Sequence, residues 1–159
     1  MQKLKYIIFS LLFAVFLAGC SSQQTFGNFS EEQSASLQQA MAEDALRQLK
    51  KVYPPATTRF NLMHNVADPF GNAFVEGLRS SGYAIAEVHP DLLPKAVAER
   101  AVEVTRLITA EQGIPLSYIV DHNSGLFHLS LRIKNKTISR GYMVSDGALH
   151  PASAWTVKE

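Results

Sequence analysis

The chain has 159 residues, 15 Lys+Arg against 14 Asp+Glu, five histidines and one cysteine. That length suits one domain with a core of its own. A formal charge of +1 leaves no broad basic field for nucleic acid, and a lone cysteine excludes an internal disulfide, so the fold must rest on packing.

The start of the chain is a targeting segment. Lys3 and Lys5 precede an apolar run from Tyr6 to Leu17, which ends in Leu17-Ala18-Gly19-Cys20. A positive start, an apolar stretch and small residues before a cut site describe a secretory signal. The run is shorter than the roughly 20 residues that span a bilayer. Its ending resembles a bacterial lipobox, which implies cleavage between Gly19 and Cys20. It also implies a diacylglycerol thioether on the Cys20 sulfur and an acyl chain, palmitate in type, on its amine. Acylation would remove a thiol that is a liability in an oxidising compartment and would anchor the chain to a membrane. Ser21, where some lipoproteins carry Asp, implies the outer membrane by analogy with bacterial sorting. The alternative is an uncleaved anchor helix with an incidental cysteine. Removing residues 1–19 takes away two lysines and no acid, so the formal charge moves from +1 to −1.

Residues 20–29 are mostly small and polar and predict a flexible tether, followed by a single periplasmic domain over 30–159. Ser30-Glu31-Glu32-Gln33 forms a capping box. Leu37, Met41, Ala45, Leu46, Leu49 and Val52 recur at helical spacing until Pro54-Pro55, so a helix is expected over 31–52. Thr58, Phe60 and Leu62 alternate with Arg59 and Asn61, which predicts a strand. Asp68-Pro69 starts a second helix and Ser81-Gly82 ends it, with Phe70, Ala73, Phe74, Gly77 and Leu78 as its apolar stripe. Tyr83–Val88 predicts another strand. Over 89–113 Val97, Ala101, Val104 and Ile108 suit a helix, and a linker with a strand at 102–108 is the alternative.

The last third alternates in period two. Leu116, Tyr118 and Val120, then Phe127, Leu129, Leu131 and Ile133, then Ile138, Tyr142 and Val144 predict three antiparallel strands. Turns are expected at 121–125, at Asn135-Lys136 and at Asp146-Gly147. The expected fold is α+β: an N-terminal helix, a strand-helix-strand unit and a C-terminal antiparallel β-meander in a small two-layer sandwich.

Catalytic and metal chemistry find little support. His122 and His128 flank a turn and could face each other across a hairpin, with Asp121 next to them, but zinc normally needs three or four ligands. No glycine-rich phosphate loop and no nucleophile elbow occurs. No cofactor is expected beyond the lipid on Cys20, and no metal. Arg132, Lys134, Lys136 and Arg140 cluster on one expected hairpin. They suit either an anionic surface or a solvated strand face with edge-protecting lysines. Phe60, Phe70, Phe74, Tyr83 and Phe127 are expected in the core. Trp155 is either a docking handle or a lid over the sheet, and Trp155, Arg132 and Arg140 are the candidate docking residues.

Several stretches together resemble the TrbH family of conjugal-transfer lipoproteins. They are Tyr53-Pro54-Pro55-Ala56 with Thr58, Asp68-Pro69-Phe70-Gly71, Leu78-Arg79, Gly82-Tyr83-Ala84 and Pro115–Asp121. Ser139-Arg140 with Tyr142, and the ending with Gly147, Leu149, Pro151, Ala154-Trp155 and Lys158-Glu159, complete the set. Nothing is carried over for 89–113. The resemblance implies an outer-membrane lipoprotein of a type IV secretion apparatus for conjugation, that is, for plasmid transfer. It implies other secretion subunits as partners, no direct contact with nucleic acid and no enzymatic activity. Two roles are open: a structural or assembly subunit, or a pilotin-like module that escorts an outer-membrane channel subunit. A wall-remodelling hydrolase is the remaining alternative.

Overall fold

The computed structural model describes residues 26–30, 34–87 and 113–159. The expected signal segment with its lipobox and most of the stretch 89–113 lie outside the described residues. The described chain folds as two layers, with two helices packed on one face of a mixed sheet. The strand order is β3-β2-β4-β5-β6-β7, with β1 added beside β4 and β8 beside β6.

β1 (Gly27–Asn28) was not expected. It pairs in parallel with β4 (Ile114–Asn123), opposite Ile119 and Val120. Of the tether expected over 20–29, the part from Gly27 to Phe29 is held by the sheet; the Phe29 N–H donates to the Val120 carbonyl at 2.7 Å. Helix α1 spans Ala35–Val52 with Ser34 at its N-cap, not 31–52 with Ser30. The Ser30 hydroxyl has other partners. It donates to Asn28 Oδ1 at 2.6 Å and accepts from Gln38 Nε2 at 3.2 Å, while Asn28 Nδ2 donates to Gln38 Oε1 at 3.1 Å. This closed triangle ties β1 to α1 around a fully buried glutamine. The tie offsets the cost of burying the amide.

The strand-helix-strand unit forms as expected. β2 (Arg59–Leu62) and β3 (Ala84–Glu87) pair in parallel on either side of α2 (Pro69–Ser80) in sequence. Asp68 caps α2 by accepting from the Gly71 N–H at 2.9 Å. At the other end Gly82 takes a φ of +90°. The Tyr83 N–H then reaches the Leu78 carbonyl and the Gly82 N–H the Arg79 carbonyl, which closes the last turn. β2 also pairs in parallel with β4, so β2 lies between β3 and the meander.

The meander is β4, β5 (Leu126–Ile133), β6 (Lys136–Ser145) and β7 (Ala148–Pro151), all antiparallel. β4 continues to Asn123, so the first turn is only Ser124-Gly125, both at positive φ. The second turn is Lys134-Asn135, one residue earlier than expected. Lys134 takes a φ of +57°, and Lys136 already pairs with Ile133. The third turn is Asp146-Gly147 as expected. β8 (Thr156–Lys158) then resumes pairing with β6 after a break at 152–155.

The core lies between the helices and one sheet face. Met41, Ala45 and Leu49 of α1 and Phe70, Phe74 and Leu78 of α2 meet Phe60, Leu62, Leu116, Tyr118, Val120, Leu129 and Leu131. All five aromatics expected in the core are buried there. The other face carries no helix among the described residues; it presents Ser117, Ser130, Thr137, Ser139 and Thr156, with Ile119 and the exposed Leu126 and Met143 among them. Asn61 faces that side as expected but is buried, with Nδ2 lacking a partner among the described residues.

Candidate anchor and docking residues

Gly19 and Cys20 lie outside the described residues, so the anchor chemistry is not visible in the fold. Of the three candidate docking residues, Arg140 and Trp155 come together and Arg132 stands apart on the other face. Arg132 sits on β5 between Leu131 and Ile133, both in the core, and so faces the helix-free side. Its guanidinium carbon lies 5.9 Å from the centre of the Phe26 ring.

Arg140 is on the opposite face, opposite Leu129. It reaches α1, where Nη1 pairs with Asp44 Oδ2 at 2.7 Å. Its Nε donates to the Ser153 carbonyl at 2.8 Å, and the Trp155 ring lies 5.8 Å over its guanidinium carbon. The Ser153 hydroxyl accepts from the Gly141 N–H at 3.0 Å, so the break between β7 and β8 is filled by this contact. Arg140 is thus engaged with α1 and with the segment between β7 and β8. Trp155 is half-buried and acts as a lid over it.

Sequence reasoning missed the centre of this cluster, Asp44. Its carboxylate accepts from Arg140, from the Tyr142 hydroxyl at 2.9 Å and from Arg47 at 3.0 Å. Burial raises its pKa. The Tyr142 hydrogen bond and the Arg140 charge outweigh burial and hold the carboxyl below its ordinary value. Burial and the same hydrogen bond push the Tyr142 hydroxyl upward. No local pattern marks Asp44, because its sheet partners are nearly a hundred residues away.

Among the described residues His64 is the buried histidine. Its Nδ1 bonds the Asn65 carbonyl at 3.0 Å, and its Nε2 accepts from the Tyr118 N–H at 3.3 Å. The ring packs edge-on to Tyr118 and stacks on Phe26. It therefore fills the place between β2 and β1 on the edge of β4. Burial lowers its pKa, partly offset by the Asn65 carbonyl and the Asp68 charge. A folded-state pKa below the ordinary 6.5 means that the unfolded chain binds the proton more readily. The stability from neutral His64 is present above about pH 6.5 and is lost as pH falls through the folded value. Urea unfolding at stepped pH should show a falling midpoint below pH 6.5. His64→Gln, which keeps an acceptor, should flatten that slope; an unchanged slope would remove His64 as its source.

His122 and His128 do not face each other. His122 pairs with Phe127 and stacks on its ring, whereas His128 pairs with Asp121 on the opposite face. Among the described residues no group of three metal-binding side chains forms, and no helix is long and apolar enough to cross a membrane.

No curated protein and no solved structure matches the chain. A family described as conjugal transfer protein TrbH matches residues 23–159, which include every described element. The blocks that carry the resemblance occupy structural positions: Asp68 and Gly71 at the cap of α2, Gly82 at its end, Tyr118 in the core, and Arg140, Tyr142 and Trp155 around Asp44. The chain belongs to the TrbH family of conjugal transfer proteins.

Proposed function

We propose that this protein is an outer-membrane lipoprotein that serves as a structural or assembly subunit of a conjugative type IV secretion apparatus. The acyl chains on Cys20 hold it at the inner leaflet, and the domain contacts other transfer proteins in the periplasm. The observation that supports this reading most is the extent of the family match. It begins at residue 23, just past the lipobox cysteine, and runs through the whole domain. The domain acts by contact and not by catalysis, since the clusters that hold polar and charged groups together hold the fold together as well. Acyl chains contribute about 0.8 kcal/mol per buried CH₂, and a second contact with protein makes such an anchor durable.

The test is membrane fractionation of the wild type and Cys20→Ser, with the intact mass of the mature N-terminus. Acylated Cys20 in outer membranes, with the variant released, is the expected result. A soluble wild type with a free N-terminus would overturn the anchor. A channel subunit that fails to insert when the lipoprotein is deleted would replace the structural role with an escorting one.

A further inference from the structure

We propose that the helix-free sheet face around Arg132 lies against an anionic phospholipid surface, a reading that rests on the lipid anchor at Cys20. Two observations carry it.

The first is where the chain enters the fold. Phe26, the first described residue, packs against His64 and under Arg132. The chain therefore leaves the fold beside the helix-free face. Only residues 20–25 separate the lipid attachment from Phe26. Six residues reach roughly 20 Å at full extension. Whatever path they take, this end of the face stays within about that distance of the headgroups.

The second is charge. Arg132 and Lys158 lie in one register row, Ser117–Arg132–Thr137–Lys158, and so project from the same face. Both are exposed, as are Lys134 in the adjoining turn and Arg59 on β2, which shares the face with Asn61. Among the described strands that face carries one carboxylate, Asp121, four residues along β4 from Ser117. Glu159 is the nearest acid in sequence, but it pairs with Lys136 at 2.5 Å on the other face. The helix layer differs, because Glu43 and Glu76 are interspersed there with Lys50, Lys51 and Arg79. Between the cations the face offers the half-buried Ser130 and Thr137 hydroxyls, which can hydrogen-bond phosphate, whereas Ser117 is buried and the Ser139 and Thr156 hydroxyls bond each other. A cationic, hydroxyl-lined face held close to a bilayer meets a negative surface potential that decays within a Debye length.

The test uses the mature chain carrying Cys20→Ser, so that no acyl group contributes, in flotation with vesicles. Vesicles of phosphatidylcholine with phosphatidylglycerol should retain it, phosphatidylcholine alone should not, and salt should release it. Arg132→Gln and Lys158→Gln should each weaken retention about fivefold, the effect of one cation near such a surface. Lys50→Gln with Lys51→Gln on α1 should leave it unchanged. Arg132 touches Phe26, so a thermal melt checks that variant, and Lys158→Gln provides a readout away from that contact. Equal binding to neutral vesicles, or an equal loss from the α1 variant, would overturn the proposal. The mass of Cys20 decides the anchor separately, so failure of one reading can be told from failure of the other.

Discussion

Replacing Asp44 with alanine is expected to destabilise the fold by about 3 kcal/mol, or roughly 10 °C in melting temperature. Asp44 is the one carboxylate that joins α1 to β6. Its side chain is 14% exposed and that of Arg140 is 19%, so both sit mostly out of water. Removing the carboxylate leaves the guanidinium beside the sheet with the Ser153 carbonyl and the Tyr142 and Trp155 rings but no counter-charge. It also leaves the Tyr142 hydroxyl, in a fully buried side chain, without its acceptor. An uncompensated charge and an orphaned donor are the costly outcomes of breaking such a pair. Arg47 contributes little, because its side chain is 64% exposed. Asp44→Asn should cost less, since the amide oxygen can still accept from Tyr142. The double variant Asp44→Leu/Arg140→Met should recover much of the loss, because no charge is then stranded. Thermal and urea melts of the four proteins decide it. A loss under 1 kcal/mol for Asp44→Ala would mean that water replaces the carboxylate.

A methyl group at Gly71 should be as damaging, at about 3 kcal/mol, through overpacking. A Cβ there would stand 2.0 Å from the Tyr118 hydroxyl oxygen and 2.6 Å from Val66 Cγ1. Tyr118 cannot yield easily. Its hydroxyl donates to Asp68 Oδ2 at 2.5 Å, and its ring is packed edge-on against Phe70 and His64. Asp68 uses its two oxygens on different elements, one on the Gly71 N–H and one on Tyr118. The start of α2 is thereby stapled to β4. Tyr118→Phe alone should cost about 1–2 kcal/mol for the lost hydrogen bond. In the Gly71→Ala background it should instead restore part of the stability, because the nearest clashing atom is gone while Val66 Cγ1 and the ring Cζ still crowd the methyl group. That reversal of sign is a coupling that independent sites do not show. Purely additive losses would place the strain elsewhere.

The ends of α2 were legible because they are local: Asp68-Pro69 supplies cap and first residue, and Gly82 supplies a positive φ. The core face of the meander was legible for the same reason, since residues two apart share a side. β1 was not, because two residues give no alternation and their strand exists only through pairing with β4, ninety residues on. The α1 start was misplaced because Ser30 has the chemistry of a cap, while Asn28 and Gln38 compete for its hydroxyl. The hairpin between β5 and β6 was off by one because lysine, not glycine, takes the left-handed position. Arg140 looked like a surface cation for want of any nearby sign of Asp44. At the docking candidates, sequence supplied the residue types and only the register separated Arg132 from Arg140 onto opposite faces.

The pairing of β1 with β4 also bears on when the domain can form. Gly27 and Asn28 wait for Ile119 and Val120, and Asp44 waits for Arg140, 96 positions later. A chain emerging from its amino end therefore has little to fold around until the meander arrives, and closing such long loops is slow. For a polypeptide that must be threaded through a translocation pore before it acquires structure, late closure is an advantage. Were the chain exported as proposed, its fold would be completed only once the last third had crossed.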